Sequence, residues 1–511
     1  MAFVSRMRQL KWLPREPSLE ELSAHATFGV ATVADLADAE TTILEAETVP
    51  RLSPLAQMLR DEGIPTLTVP KGEAAPSPLD EAVFTLQVAS EVEHAFLLQY
   101  LYAAYSLNPS AGQPVSDAFA DIIEVAKQEM AHLITVQNLL IALGKSVDLN
   151  RENFPEHPDL YPFPAAVEPL SMDSLAKYVT AESPTLDQIL DPGDKKIAQA
   201  AAARAAEVIQ TKVNQVGTIY MKLYWLFQDG DQPQGPWMLP ADAIEEFVTK
   251  YGTGFHIKDN EFVSSATINN FAAIKGEWGG DPSVHVDPSY PRPSALAAIA
   301  TITAQGEGPN GSSGIKSHFQ IFLDLYRAFP QFPANAVKDI PVNPTAGPSH
   351  VASPAPLNAI TDAITALWAQ LLNMRYQILL LDIAIGMSLD RSKESGLRRT
   401  VLKTWAVGSE MAQFISPIAI GLTGKTRTSV GDRPLFAGAP FELDDEIPTP
   451  PCDRWKKQNT LIQKCAVTIG ALRTSSGITA DEKQLLDSMS AFDQGRQSVV
   501  DQKLKELCVS S

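Results

Sequence analysis

Two segments of this sequence place an ionisable side chain on a helix face that is otherwise apolar. In steps of three and four residues, the first stripe is Leu86, Ala89, Leu97, Tyr100 and Ala104, and Glu93 interrupts it. The second stripe is Ile122, Ala126, Leu133, Val136 and Leu140, interrupted by Glu129, with His132 one turn later. A carboxylate on a buried face is costly unless it is paired or bound to a metal. Because Glu-x-x-His places both side chains on one side of a helix, the pattern indicates a carboxylate-bridged di-iron or di-manganese site in a helical bundle.

A dinuclear site needs a second set of ligands. Glycines on both sides of Glu307 indicate a close approach or a sharp turn of the backbone at that point. His318 opens a predicted helix and begins an apolar stripe, so it should face the core. We therefore predict that the metal ligands are Glu93, Glu129, His132, Glu307 and His318.

Other ionisable residues allow different interpretations. Glu91 is an alternative to Glu93 on the first helix, and His94 points about 100 degrees away from Glu93, which favours packing or an outer role for His94. Tyr100 could line the pocket or donate a hydrogen bond, although packing is the simpler role. Asp382 and Glu410 also interrupt apolar runs, and for these we predict buried salt bridges, for instance with Arg375.

The elements that would position these residues are helices. We predict long helices over about 79–107, from after Pro114 to Gly144, and over 200–227, with an irregular Pro-rich stretch at 145–200. Shorter helices follow at 295–304 and 317–326, then helices at 357–388 and 394–416, and a helical hairpin at 453–508. No run of residues alternates convincingly as a strand does. The predicted fold is all-α, a four-helix bundle core with long irregular insertions and extra helices.

Three regions are predicted along the chain. Residues 1–78 form an N-terminal extension of short helices and a linker, and residues 79–430 form the metal-binding domain with its insertions. Residues 431–511 form a C-terminal coil and the helical hairpin. A length of 511 residues is sufficient for two or three domains.

Composition and charge narrow the functional classes. The net charge of -19 argues against a phosphate-binding surface, so no nucleic-acid partner is expected. The three cysteines lie near the C-terminus without metal-ligand spacing, which predicts a reducing compartment and no disulfide framework. Neither a signal peptide nor a membrane partner is expected, because no apolar run is long enough. We therefore expect a cytoplasmic protein.

Several segments resemble those of a known family. Residues 93–100 and 129–132 resemble the first ligand helices of ferritin-like proteins. More narrowly, residues 100–107, 305–308, 317–319 and 437–442 resemble the ferritin-like domain of the iminophenylpyruvate dimer synthase family, named after the violacein-pathway enzyme. The resemblance spans roughly 80–455, with the motifs in the expected order, although those synthases are far longer than this chain.

The resemblance implies a ferritin-like four-helix core with a non-haem iron site, in or near secondary metabolism. The usual ferritin-like site has four carboxylates and two histidines, with a second Glu-x-x-His. That second motif is absent here, since Glu307 and His318 lie eleven residues apart, and Glu207 is a possible additional ligand. In this arrangement Glu129 would bridge two metal ions, Glu93 and His132 would hold one, and Glu307 and His318 would hold the other.

The function expected from these observations is a di-iron oxidoreductase, in which two non-haem iron ions act with dioxygen on a small amino-acid-derived substrate. Other divalent metals are possible, and a homodimer is a possible oligomeric state. Two alternatives stay open: an enzyme that couples imines, as the synthases of the resembled family do, and a metal-binding or structural protein without catalysis.

Overall fold

A computed structural model of the chain describes residues 76–154, 161–186, 188–229, 252–278, 292–306, 316–346, 358–430 and 433–508, together with 245, 248 and 249. These residues are predominantly helical, which confirms the predicted all-α fold. Most of the predicted N-terminal extension and the candidate ligand Glu307 lie outside the described residues. In the described part of the chain, every helix is too short or too polar to cross a membrane.

Residues 78–328 contain eight α-helices within the part of the chain that the structure describes. In chain order they are α1 Pro78–Ser106, α2 Gln113–Ala142, α3 Met172–Ala181, α4 Pro192–Ile209, α5 Gly217–Phe227, α6 Ser265–Phe271, α7 Arg292–Gly306 and α8 His318–Ala328. Helices α1, α2, α5 and α7 pack together as a four-helix core. Helix α3 packs against α4 and α8, and α8 in turn contacts α2.

Helices α1 and α2 confirm the two long helices predicted from the apolar stripes. Ser77 caps α1 in a capping box with Asp80, and Pro78 occupies the first turn. Helix α2 begins before Pro114 rather than after it. Proline is tolerated in the first helical turn, because an amide hydrogen there would have no partner within the helix.

Two predictions about the next stretch are wrong. The predicted irregular region 145–200 contains α3, which Ser171 caps by accepting a hydrogen bond from the Ser174 amide. The single helix predicted over 200–227 is instead the two helices α4 and α5. Helix α4 ends at Ile209. Gln210, which follows it, has a left-handed φ of 57°, and the backbone resumes a helix only at Gly217.

The C-terminal half forms a second helical bundle. Its elements are α9 Ala363–Ser388, α10 Arg391–Arg399, a π-helix Thr400–Ile415, α11 Ser416–Leu422, β1 Thr426–Val430, β2 Arg433–Phe436, α12 Pro451–Thr474 and α13 Ala480–Cys508. Helix α9 packs against both the π-helix and α12, and α12 packs against α13 as the predicted hairpin. The two antiparallel strands are short and escaped the sequence analysis. The predicted division of the chain after residue 430 stays a prediction, although α9 and α12 pack together across it.

The acids Asp382 and Glu410 lie in a buried ion network inside this second bundle. Glu410 accepts from Arg375 at 3.1 Å and lies 3.0 Å from Arg496, and Asp382 lies 3.4 Å from Arg496. Asp493 accepts from Arg375 at 2.6 Å. The predicted buried salt bridges are therefore confirmed.

The cysteines differ from the prediction. Cys452 at the start of α12 and Cys508 at the end of α13 form a disulfide, with Cα atoms 5.4 Å apart, and Cys465 is a buried free thiol. A hairpin of two helices of similar length brings its first and last residues to the same end. The number and spacing of the cysteines predicted no disulfide framework. Neither of these shows that Cys452 and Cys508 lie close together in the fold.

Candidate metal centre

Glu129 lies between two histidines in the four-helix core. Its Oε2 atom is 3.2 Å from His132 Nδ1, and its Oε1 atom is 2.9 Å from His318 Nδ1. One ligand atom from each of the three residues can be chosen so that all lie within 4.8 Å of one another. All three side chains are buried.

A further carboxylate accompanies each histidine. Glu93 Oε2 lies 3.4 Å from His132 Nδ1, and Glu182 Oε2 lies 3.8 Å from His318 Nδ1. We call Glu93 with His132 the first half-site and Glu182 with His318 the second half-site. Glu129 connects the two, because each of its oxygens faces one of them.

The five residues come from four separate elements. Helix α1 contributes Glu93 from the middle of its apolar stripe, and α2 contributes both Glu129 and His132. Glu182 directly follows the last residue of α3. His318 is the first residue of α8, and Ser317 caps that helix by accepting a hydrogen bond from the Gln320 amide.

Buried tyrosines hold the outer oxygens of the two terminal carboxylates. Tyr220 on α5 donates its hydroxyl hydrogen to Glu93 Oε1. Tyr100 on α1 donates to Glu182 Oε1 at 2.6 Å, so it does more than fill the core. In both half-sites the second oxygen of the carboxylate remains directed at the histidine.

The ionisation of the metal-free cluster reflects burial and the mutual attraction of its groups. Burial raises the pKa of Glu93 to about 8, with a further contribution from the charge of Glu129. Burial alone would lower the pKa of His318, but Glu129 and Glu182 raise it to about 9. In the same way, Glu129 and Glu93 raise the pKa of His132 well above its usual value despite burial. Burial opposes ionisation of Glu129, but His318 and His132 outweigh it and hold its pKa low. Protons therefore supply the positive charge that balances these carboxylates.

Several atoms of the cluster lack the partners that buried polar atoms normally have. Among the described residues, Glu93 Oε2, Glu129 Oε1 and His318 Nδ1 form no hydrogen bond of normal geometry. Buried polar atoms are rarely left in this state unless an ion or a water molecule is bound. Carboxylate and imidazole ligands suit iron and manganese, so the donor set fits a dinuclear centre of the kind predicted.

A small cavity adjoins the cluster. It contacts Glu93, Glu129, His132 and Glu182. The apolar side chains of Phe96 on α1, Val216 just before α5 and Ile302 on α7 form part of its wall. The cavity has room for about one water molecule.

The structure brings together four of the five predicted ligands, Glu93, Glu129, His132 and His318. The fifth, Glu307, lies outside the described residues. Glu207 does not join the cluster, because its side chain is exposed on α4. Glu182 was not predicted from the sequence, although it could have been found as the acid that completes the stripe Leu175, Tyr178 and Glu182.

The two alternatives on α1 lie away from the cluster. His94 Nε2 is 2.5 Å from the hydroxyl of Tyr376 on α9, in agreement with a packing role. Glu91 accepts hydrogen bonds from Tyr161 at 2.8 Å and from the Glu152 amide at 3.0 Å. Burial raises the pKa of Glu91 to about 7. This shift arises although Glu91 is not one of the residues of the cluster.

Comparison with known protein families agrees with this arrangement. Residues 86–327 match the family model described as Ferritin-like. This part of the chain has a ferritin-like fold. The matched range includes every residue of the cluster, from Glu93 to His318. No curated protein and no solved structure matches the chain.

Proposed function

We propose that the ferritin-like domain is a dinuclear non-haem iron oxidoreductase that reacts with dioxygen. The observation that carries the proposal is the position of Glu129, with one oxygen toward each of two carboxylate–imidazole pairs. A single metal ion would leave one of these pairs without a function. Two ions sharing Glu129 would use both pairs, as carboxylate-bridged sites in helical bundles do.

The residues would divide the work of holding two ions. Glu93 and His132 would hold one ion and Glu182 and His318 the other, with Glu129 as the shared ligand. A ferrous pair in this position would supply electrons for the reduction of dioxygen. Tyr220 and Tyr100 would fix the outer oxygens of the terminal carboxylates, so that one oxygen of each stays directed inward. The apolar wall would keep bulk water away.

The size of the cavity bears on the substrate. Room for about one water molecule is compatible with a diatomic molecule such as dioxygen. The resemblance to the iminophenylpyruvate dimer synthase family favours an amino-acid-derived organic substrate in secondary metabolism. Such a molecule is larger than this space and would have to extend beyond it.

The cavity size favours a second candidate function, in which dioxygen is the only substrate that reaches the metals. In that case the domain would oxidise iron or bind metal without transforming an organic compound. The two candidates differ in one result. An organic substrate bound near the centre would change the rate or the spectrum of the reaction with dioxygen, whereas in the second candidate no organic compound would do so.

The experiment that tests the proposal is anaerobic loading with ferrous iron followed by rapid mixing with oxygenated buffer. We expect an absorption change that requires both half-sites and is therefore lost in Glu129→Ala. Glu410→Gln is the matched control, since Glu410 is an equally buried acid in the second bundle. An unchanged optical response in Glu129→Ala would contradict the proposal.

A further inference from the structure

Two buried glutamines contact the histidines on the side that faces away from the carboxylates. Gln128 Oε1 lies 2.8 Å from His318 Nε2, and Gln305 Oε1 lies 3.1 Å from His132 Nε2. Both glutamine side chains are buried. In each ring, therefore, Nε2 faces an amide while Nδ1 faces the carboxylates.

The direction of these hydrogen bonds determines which ring nitrogen can bind a metal. An amide oxygen can only accept, so the Nε2 atom that faces it must carry the hydrogen. A neutral imidazole has one N–H group, and its other nitrogen, here Nδ1, keeps the lone pair. Were the amide reversed, its NH₂ group would donate to Nε2 and the hydrogen would move to Nδ1, where it would block the metal.

The two glutamines also connect the half-sites to different helices. Gln128 directly precedes Glu129 on α2 and reaches His318 on α8. Gln305 lies near the end of α7 and reaches His132 on α2. The Gln128 contact therefore holds the His318 ring to the helix that carries Glu129, and the Gln305 contact holds the His132 ring to α7. Because an amide is uncharged, it does this without adding to the negative charge of the cluster.

We propose that Gln128 and Gln305 are positioning residues that select Nδ1 of His318 and His132 as the metal-binding nitrogens. The proposal rests on the dinuclear centre proposed above. It assigns a separate glutamine to each half-site, so that loss of one glutamine should affect one metal ion and leave the other in place.

The test is a titration of the metal-free protein with Co²⁺ alone, followed by the visible absorption of the bound ion. We expect two Co²⁺ ions per chain in the wild-type protein. In Gln128→Leu the affinity of one site should fall about 10- to 100-fold, as is usual for residues that orient metal ligands. Gln305→Leu should weaken the other site. Gln128→Glu, which restores an acceptor, should recover most of the affinity.

A matched control separates positioning from stability. Gln137 is another buried glutamine on α2, and it bonds Ser90 and the Asp148 amide instead of a histidine. Gln137→Leu should lower thermal stability without a change in Co²⁺ affinity. If Gln137→Leu weakens Co²⁺ binding as much as Gln128→Leu does, the effect of Gln128 is structural and the proposal is wrong.

Proton NMR of the Co²⁺ protein gives a readout of the ring N–H groups themselves. The wild-type protein should show two strongly shifted signals that disappear in D₂O, one from each Nε2–H. Gln128→Leu should lose one of them through faster exchange with water. Two retained signals together with unchanged affinities would overturn the glutamine proposal while leaving the dinuclear centre intact. A wild-type protein that binds no Co²⁺ would overturn both.

Discussion

At the scale of single residues, the buried acids of the two bundles are neutralised in different ways. Glu410 in the second bundle contacts the guanidinium groups of Arg375 and Arg496, which carry a permanent charge. Within the described part of the chain, the ion-pair partners of Glu129 are His132 and His318, whose charge depends on protonation. A metal ion can replace protons on imidazoles but cannot replace a guanidinium. Among the described residues, therefore, the first bundle has the charge arrangement of a cation site and the second does not.

Glu182 is the metal ligand assigned from the structure, and Glu207 is the additional ligand considered from the sequence, so variants of the two can be compared directly. Glu182→Ala should reduce bound iron from two ions per chain to one, because it removes the carboxylate of the second half-site. Glu207→Ala should leave iron content unchanged and alter stability by no more than about 0.5 kcal/mol, as at other exposed positions. Iron analysis after anaerobic loading checks both variants. Loss of iron in Glu207→Ala alone would show that the sequence assignment was right and the structural one wrong.

The pKa values of Glu93 and His318 predict opposite effects of pH on stability and on metal binding. Both groups hold a proton more firmly in the folded metal-free protein, at about 8 for Glu93 and about 9 for His318, than at their ordinary values of 4.5 and 6.5. The native state thus binds more protons, and the free energy of unfolding should fall as pH rises from about 6.5 to 9.

Metal affinity should rise over the same pH range, because the ligands must lose their protons before they bind. Urea unfolding of the metal-free protein and Co²⁺ titrations at matched pH values measure the two trends. Glu93→Gln, which removes one titrating group, should flatten both. A metal affinity that is constant from pH 6.5 to 9 would contradict the protonation described for the cluster.

At the scale of elements, the periodicity of apolar residues predicted the long helices well, but it predicted the breaks between helices and the short helices poorly. The stripes of α1 and α2 extend over many turns, so Glu93, Glu129 and His132 could be placed on them from the sequence alone. Helix α3 has ten residues, and the prolines around it suggested irregular backbone. That is why Glu182, which follows α3 directly, was missed. The pairing of His318 with Glu182 depends on tertiary packing of α3 against α8, which periodicity does not report.

The break between α4 and α5 can be tested at Gln210. Its left-handed conformation, with φ of 57°, is unfavourable for a residue that has a side chain. Gln210→Gly should therefore stabilise the protein by up to about 1 kcal/mol. Gln210→Ala is the control and should give no such gain, since alanine retains a Cβ atom. If one continuous helix ran through this position, Gln210→Gly would destabilise the protein and Gln210→Ala would stabilise it, as in any helix interior.

At the scale of the whole molecule, two helical bundles with different buried charges occupy one chain, and a disulfide closes the second. Cys452 and Cys508 are 56 residues apart, so Cys508→Ser should destabilise the second bundle by about 2–4 kcal/mol. Faster hydrogen exchange in α12 and α13 would be the sign of this loss. The double variant Cys452→Ser, Cys508→Ser should be no less stable than the single one. Iron content should not change, since both cysteines belong to the second bundle, and a loss of iron would contradict the assignment of the metal centre to the first.

The number of iron ions per chain is the most direct test of the central claim, that Glu129 joins two half-sites into one dinuclear centre. After anaerobic loading with ferrous iron and removal of excess metal, we expect two ions per chain in the wild-type protein. Glu129→Ala should bind neither ion firmly, with its helix intact because alanine is a strong helix former. One ion per chain under all loading conditions, or none, would contradict the dinuclear centre. So would a Glu129→Ala variant that retains both ions.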